Sequence, residues 1–477
     1  MINREKLRRK SQFRTAISLG GGLAILLATW SSALTGAENK TYDLKPVSAV
    51  GQMQQIQSVV EVQGDLKLDS DGTKVTRLPL LVKAQLRYDE KLLDIKSSPW
   101  SRRAVRYYHQ AEASIKVGEG TLAPALNDDR RIVAAQVDKE GSALYSPAGP
   151  LTRDELDLIE SQGNSLLWWC LLPKGPVAIG NRWEVDQEPL GLLLGIDAVT
   201  QCSASCSLTS VDGNVALVDL SGSISGAVSG VATEVQLKAK YNFDLAQHRM
   251  TWFAVSFKES RSISHAEPGF EVTTRVRASA ARLEQSPALD ENSLAGLSLE
   301  ANAGANLLAF QAEKSHFSLI HDRRWRSILD RPNLCVLRMV DGGTLIAQCN
   351  ISELSDLEPG KGFTMEAFQA DVQRSLGKNF GQFVDANQSP ADEGKQIYRV
   401  VVSGTTGEIP IQWIYYHIVN DKGRRAALAF TLEEKLLERF AEADRTLAET
   451  FQFRERPEPK PTASREAQKS QSKPARS

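Results

Sequence analysis

The stretch Leu80-Leu81-Val82-Lys83-Ala84-Gln85-Leu86-Arg87-Tyr88-Asp89 decides the fold of the first half of the chain. Leu80, Val82, Ala84, Leu86 and Tyr88 alternate with Leu81, Lys83, Gln85, Arg87 and Asp89. A period of two with one apolar face marks an antiparallel strand that is wet on its other side. The pattern returns at Val60, Val62, Leu66 and Leu68 against Glu61, Gln63, Lys67 and Asp69. It returns again at Val235, Leu237, Ala239, Tyr241 and Phe243. Asp69-Ser70-Asp71-Gly72 and Asp212-Gly213-Asn214 are turn sequences between such runs. One helix interrupts them: Thr152 and Glu155 form a capping box before Leu156, Leu158 and Ile159. Residues 45–283 therefore read as an N-terminal antiparallel β-rich domain. Long strands wet on one face need a curved sheet or a second layer, so it is a half-barrel or a sandwich. The choice bears on function, because a half-barrel can enclose an apolar cavity.

Residues 284–304, rich in Ser, Ala, Asn, Glu and Gly, read as an inter-domain linker. Residues 305–453 then alternate strands and helices. Leu334–Val340 and Thr344–Ile351 flank Asp341-Gly342-Gly343 as a hairpin, and Ile411–Val419 and Arg425–Phe430 flank a second turn. Thr364 caps a helix with the stripe Met365, Phe368, Val372 and Leu376, which Gly377 ends. Thr431 and Glu434 form another capping box, before a closing helix striped by Leu436, Phe440, Leu447 and Phe451. The expected class of the whole chain is α+β, the second domain being an antiparallel sheet with packed helices.

This order of elements, with Trp325 opening a strand, the Gly342 hairpin, a mid-domain helix and a closing helix, resembles the PsbP-like fold. The resemblance implies an accessory or binding module. In the first domain, Leu171-Leu172-Pro173 followed by Gly180-Asn181-Arg182-Trp183 resembles an uncharacterised family of exported bacterial proteins. Neither resemblance implies a catalytic residue.

The ends of the chain carry a different signal. Arg4, Lys6, Arg8, Arg9, Lys10 and Arg14 precede an uncharged, mostly apolar run from Thr15 to Trp30, and Thr35-Gly36-Ala37 closes it. This is the layout of a signal peptide cleaved after Ala37, the alternative being an uncleaved N-terminal anchor. The expectation is an exported protein of the periplasm or cell envelope that touches the membrane only if the leader stays. Removing residues 1–37 takes away six basic residues and one acidic one, so the net charge moves from −1 to −6. An acidic exported chain is a poor partner for nucleic acid. Residues 454–477, with Pro, mixed charge and no periodicity, read as a disordered tail.

The chemistry-bearing patterns are thin. None of the six histidines forms H-E-x-x-H or an i, i+4 pair, so no metal site is expected. Gly118-Glu119-Gly120-Thr121-Leu122-Ala123 fits a loose dinucleotide pattern, but Pro124 follows where a helix must open, so it reads as a turn and no cofactor is expected. Asp69–Gly72 lacks the flanking carboxylates of a calcium loop. No G-x-S-x-G and no P-loop occurs. Cys335 and Cys349 flank Gly342 symmetrically, and with a three-residue loop they lie opposite each other as a candidate disulfide. A two-residue loop puts them on opposite faces. The pairing of Cys170, Cys202 and Cys206 stays open.

Arg323 and Arg324 beside Trp325, and Trp413, Tyr415 and His417 on one strand face, are the candidate binding residues. Guanidinium beside aromatics suits carboxylate, phosphate or glycan contact; the competing reading is an ion-paired strand end and a core aromatic row. Together these features lead to an exported, non-enzymatic binding or accessory protein of the cell envelope, with an envelope ligand or protein as partner. The alternatives are an envelope-polymer hydrolase with unlocated carboxylates, or a purely structural component. Catalysis stays open.

Overall fold

The alternation around Leu80 belongs to a strand of 21 residues, Val75–Ile95. In the computed structural model, residues 40–69, 74–95, 100–139, 141–264, 268–358, 363–391 and 394–455 are described. The expected signal peptide at residues 1–37 and the expected tail beyond residue 455 lie outside these residues.

Two meanders build the largest sheet. The first is β1 (Met53–Asp69), β2 (Val75–Ile95), β3 (Arg102–Val117), β4 (Ile132–Asp138) and β5 (Gly141–Tyr145). A helical segment comes after it, with α1 (Arg153–Ile159), a 3-10 turn at Ser165–Leu171 and α2 (Gln187–Leu194). The second meander is β6 (Ser205–Asp212), β7 (Val215–Val228), β8 (Val231–Asp244), β9 (Arg249–Arg261) and β10 (Gly269–Leu283). β10 returns to pair with β1 along its whole length, Gly269 against Lys67 and Leu283 against Met53. Three short strands complete one open, thirteen-stranded sheet. Its apolar face wraps the helical segment. Ile56, Val60, Leu86, Tyr108, Phe253, Phe257 and Val276 join Leu156, Trp168, Leu171 and Leu190 in one core. Register shifts at Arg87/Tyr88 and Leu92/Asp94 mark bulges, which bend strands of this length.

The capping box at Thr152 forms. The Thr152 hydroxyl accepts from the Glu155 amide at 3.2 Å, and Glu155 Oε2 accepts from the Thr152 amide at 2.8 Å. The helical segment is tied down by the Leu171 carbonyl, which accepts from the Tyr241 hydroxyl at 2.6 Å and the Trp183 indole at 3.0 Å.

Beyond short helical turns at 287–294, the chain forms β11 (Leu307–Ala312), β12 (Phe317–Asp322), β13 (Trp325–Arg331), β14 (Leu334–Asp341) and β15 (Thr344–Leu354). Then come α3 (Met365–Leu376), β16 (Phe380–Ala391), β17 (Lys395–Thr406), β18 (Ile409–Val419) and β19 (Arg425–Glu433). β13–β19 make a seven-stranded sheet in the order β13-β14-β15-β19-β18-β17-β16. β11 and β12 stand in a separate four-stranded sheet, where β11 pairs in parallel with Leu151–Thr152 of the first half. The halves thus share a sheet. They also meet where the Ser229-Gly230 turn touches the Gly342-Gly343 turn: a Cβ on Gly230 would lie 2.1 Å from the Gly342 carbonyl carbon.

The expected α+β pair, with a PsbP-like C-terminal sheet and packed helices, is not what the chain adopts. Strand accounts for 58% and helix for 16% of the described residues, spread over several sheets. The closing helix is the clearest departure. β19 runs on through Thr431 to Glu433, so the expected capping box does not form. The chain then makes a 3-10 turn and two short helices, Leu437–Phe440 and Asp444–Glu449, separated by left-handed Ala441 and Glu442. Phe440, Leu447 and Phe451 are buried in the core all the same, so packing overrides helix continuity.

The candidate disulfide is not formed in this structure. All five cysteines are free. The β14–β15 turn is a two-residue loop, Asp341 pairing with Thr344, and a bulge at Met339/Val340 adds one more step. The two steps put Cys349 opposite Leu337 and Cys335 opposite Ile351, on one face but out of register. Burial pushes the Cys335 thiol up to about 12.

Candidate functional site

β1, β2 and β3 reach 17, 21 and 16 residues, whereas α1, which covers their apolar face, has seven. The sheet outruns its cover. Small residues widen the gap: Ala84 and Ala113 pair directly across β2 and β3. A cavity of about 500 Å³ results. Its floor is Val60, Val62, Val82, Ala84, Ala113 and Ile115, and its roof is Asp154, Asp157, Leu158 and Glu160. Volumes of roughly 300–1,000 Å³ are typical of small-molecule sites.

A second cavity of about 630 Å³ meets the first at Asp157, Glu160, Ser161 and Gln162. It is polar, lined by Arg106, Arg153, Arg261, Arg326, Asp157, Glu160 and Asp197. Ser142 of β5 and Val228 of β7, from opposite wings of the sheet, both line it, which reports how far the sheet curls. Most of its charges already have partners. Arg106 donates to Glu90 at 2.9 Å and to Asn164 at 2.6 Å. Arg261 meets Glu259 at 2.7 Å and Arg153 meets Asp157 at 3.6 Å. Glu160, at the junction, is pushed upward in pKa by desolvation, against the pull of Arg323 and Arg153.

Asp157, Glu160, Ser161 and Gln162 thus line both a cavity with an apolar floor and a polar one of nearly balanced charge. That arrangement offers room for an apolar group against the sheet and for a polar group beside the ion pairs.

The residues singled out from sequence serve elsewhere. The Arg323 guanidinium donates to the Leu144 and Ala305 carbonyls and lies 4.0 Å from Glu160, so it clamps the two halves. Arg324 is paired with Asp322 at 2.9 Å and donates to the Arg439 carbonyl. Trp325 is 1% exposed and packs edge-on against Phe430 and Phe440. Trp413, Tyr415 and His417 face α3, and His417 stacks on Phe363 with centroids 3.9 Å apart. These six lie in separate clusters. His, Cys, Asp and Glu nowhere gather as a metal-binding group among the described residues. Gly118 is left-handed in the Val117–Gly120 hairpin turn.

Sequence reading identified the apolar faces of β1 and β2 but not the space above them. The available signal was the mismatch between long strands and one short helix, with alanines at the uncovered positions.

No family model and no curated protein sequence matches the chain. Among solved structures, PsbP from Synechocystis sp. PCC 6803 is 14% identical with a TM-score of 0.25, over 31% of this chain and 92% of that one. Lipovitellin is 9% identical with a TM-score of 0.32, over 70% of this chain and 31% of that one. OccAB4 of Acinetobacter baumannii is 9% identical with a TM-score of 0.11, over 80% and 97%. No family is identified, and likenesses this weak define neither fold nor function. No helix among the described residues is long and apolar enough to cross a membrane.

Proposed function

We propose that this chain is an exported, non-enzymatic binding protein of the cell envelope, and that its ligand is an amphiphile. The observation that carries the reading is the cavity of about 500 Å³ with an apolar floor between β1–β3 and α1, which shares Asp157, Glu160, Ser161 and Gln162 with a polar cavity. The basic head and apolar run of residues 1–30 support export, and the acidic body supports a non-nucleic-acid ligand. The test is titration of the full chain with an environment-sensitive fluorescent fatty acid. Saturable binding, displaced by unlabelled fatty acid and lost in Ala113→Phe, is expected. A chain that binds no probe, or binds it equally after Ala113→Phe, overturns the reading.

A hydrolase acting on an envelope polymer is the second reading, and Glu160 favours it. A carboxyl raised in pKa beside Asp157 is the kind of pair that general acid catalysis uses. Turnover of a glycan or ester panel that Glu160→Gln abolishes would establish it in place of the carrier role.

A further inference from the structure

On the far side of the Glu90–Arg106 pair lies a smaller cavity of about 90 Å³, between the Pro46–Ser48 segment, the start of β9 and the tryptophans of the 3-10 turn. Arg249 and Arg102 both line it. Arg249 is 7% exposed, and none of its three guanidinium nitrogens has a hydrogen-bond partner. The Nε of Arg102 and the indole nitrogen of Trp169 are also buried without a partner. Arg102 lies over the Trp169 ring, 5.9 Å from its centroid, which fixes both groups against one wall.

Neighbouring acids do not neutralise this charge. Glu90 already accepts from Arg106, Ser165 and Gln54. Asp244 attracts Arg249, but its Oδ1 is engaged by the Ala246 and Gln247 amides, and Arg282 repels from the other side. Burial lowers the pKa of both Arg249 and Arg102, yet a guanidinium does not surrender its proton in a protein. A buried, ionised group without an acceptor is among the most costly arrangements a fold can hold. An acceptor of opposite charge removes that cost.

We propose that this cavity is an oxyanion site, in which Arg249 and Arg102 take one carboxylate or phosphate group and the Trp169 indole supplies a further donor. The planar guanidinium fork matches both anions. The space suits one such group, being smaller than the ~150 Å³ cavity known to hold benzene.

The test is isothermal titration of the full chain with sodium phosphate and, separately, with sodium acetate, at constant ionic strength set by chloride. Saturable binding of one of them is expected, weakened at least about tenfold in Arg249→Met. Arg249→Lys keeps the charge and loses the fork; it is expected to weaken binding likewise, and it carries the test if the methionine variant does not fold. Which anion saturates separates a phosphate site from a carboxylate site. Ala113→Phe, in the other cavity, leaves this binding unchanged. The proposal is overturned if neither anion binds the unmodified chain, or if either folded Arg249 variant binds as tightly as the unmodified chain.

Discussion

The thirteen-stranded and seven-stranded sheets are written in the same alternating code, yet one retains space and the other is filled. The seven-stranded sheet is covered on both faces. On one side Trp413, Val400 and Val402 meet Phe368 and Val372 of α3. On the other, Ile414, Tyr416 and Ile418 meet Phe440, Leu447 and Phe451. β18 is accordingly buried along most of its length. The thirteen-stranded sheet is covered on its main apolar face by helices shorter than its strands, and on its other face Ala134 and Tyr145 form a small cluster with Ala305; small side chains line the part the helices leave uncovered. A cavity is what remains when the cover is shorter than the surface it must hide. Filled and unfilled sheets should then answer differently to substitution and to pH.

The largest effects are expected where packing and charge are complete. Trp325→Ala removes a fully buried indole and should cost about 3–5 kcal/mol in urea unfolding. Glu90→Gln leaves Arg106 buried beside a neutral amide and should cost about 3–5 kcal/mol by the same measurement. A loss under about 1 kcal/mol at Trp325 would erase the contrast between the sheets.

Gly230→Ala comes next. Gly230 has φ +75° and no room for a Cβ against the Gly342-Gly343 turn. The substitution should cost about 1–3 kcal/mol and increase amide exchange in both turns.

The pH response distinguishes the regions by sign. Burial pushes His321 and His417 down to about 4. Their stabilising contribution is full above the unfolded value of about 6.5 and is lost as the pH falls toward 4. Glu160 is raised, so its contribution is full below the unfolded value of about 4.3 and is lost as the pH rises through its folded pKa. Urea midpoints from pH 7 to 4.5 should fall in the unmodified chain and fall less in His417→Phe. An NMR titration of Glu160 at or below the usual carboxylate range would contradict the enclosure of the junction.

The smallest effect is the most informative. Ala113→Phe adds a ring to a packed sheet face, where overpacking usually costs about 1–3 kcal/mol. In an open cavity it should change stability by less than about 1 kcal/mol while removing fatty-acid probe binding.

Several elements were legible in the sequence because their information is local. The alternation around Val60, Leu80 and Val235 marks strands, the Thr152–Glu155 box and the Thr364 cap mark helix starts, and the turn between Val340 and Thr344 carries its glycines. Thr431–Glu434 has the same local signature, yet strand pairing with Ile411 and Trp413 extends β19 through it. Cys335 and Cys349 look symmetric about Gly342, but a bulge that no spacing shows moved their register. The aromatic row Trp413, Tyr415 and His417 was visible as a row, but whether it faced a ligand or α3 depended on where α3 docked.

By itself, then, the sequence determined which residues form strands, which face of each is apolar, and that the first thirty residues are unlike the rest. Periodicity is a property of neighbours along the chain. The return of β10 beside β1, the shortfall of α1 over the long strands and the seclusion of Arg249 from any acceptor were decided only by the tertiary structure. Each depends on the distance between residues far apart in sequence, and burial, cavity volume and charge pairing are set by those distances.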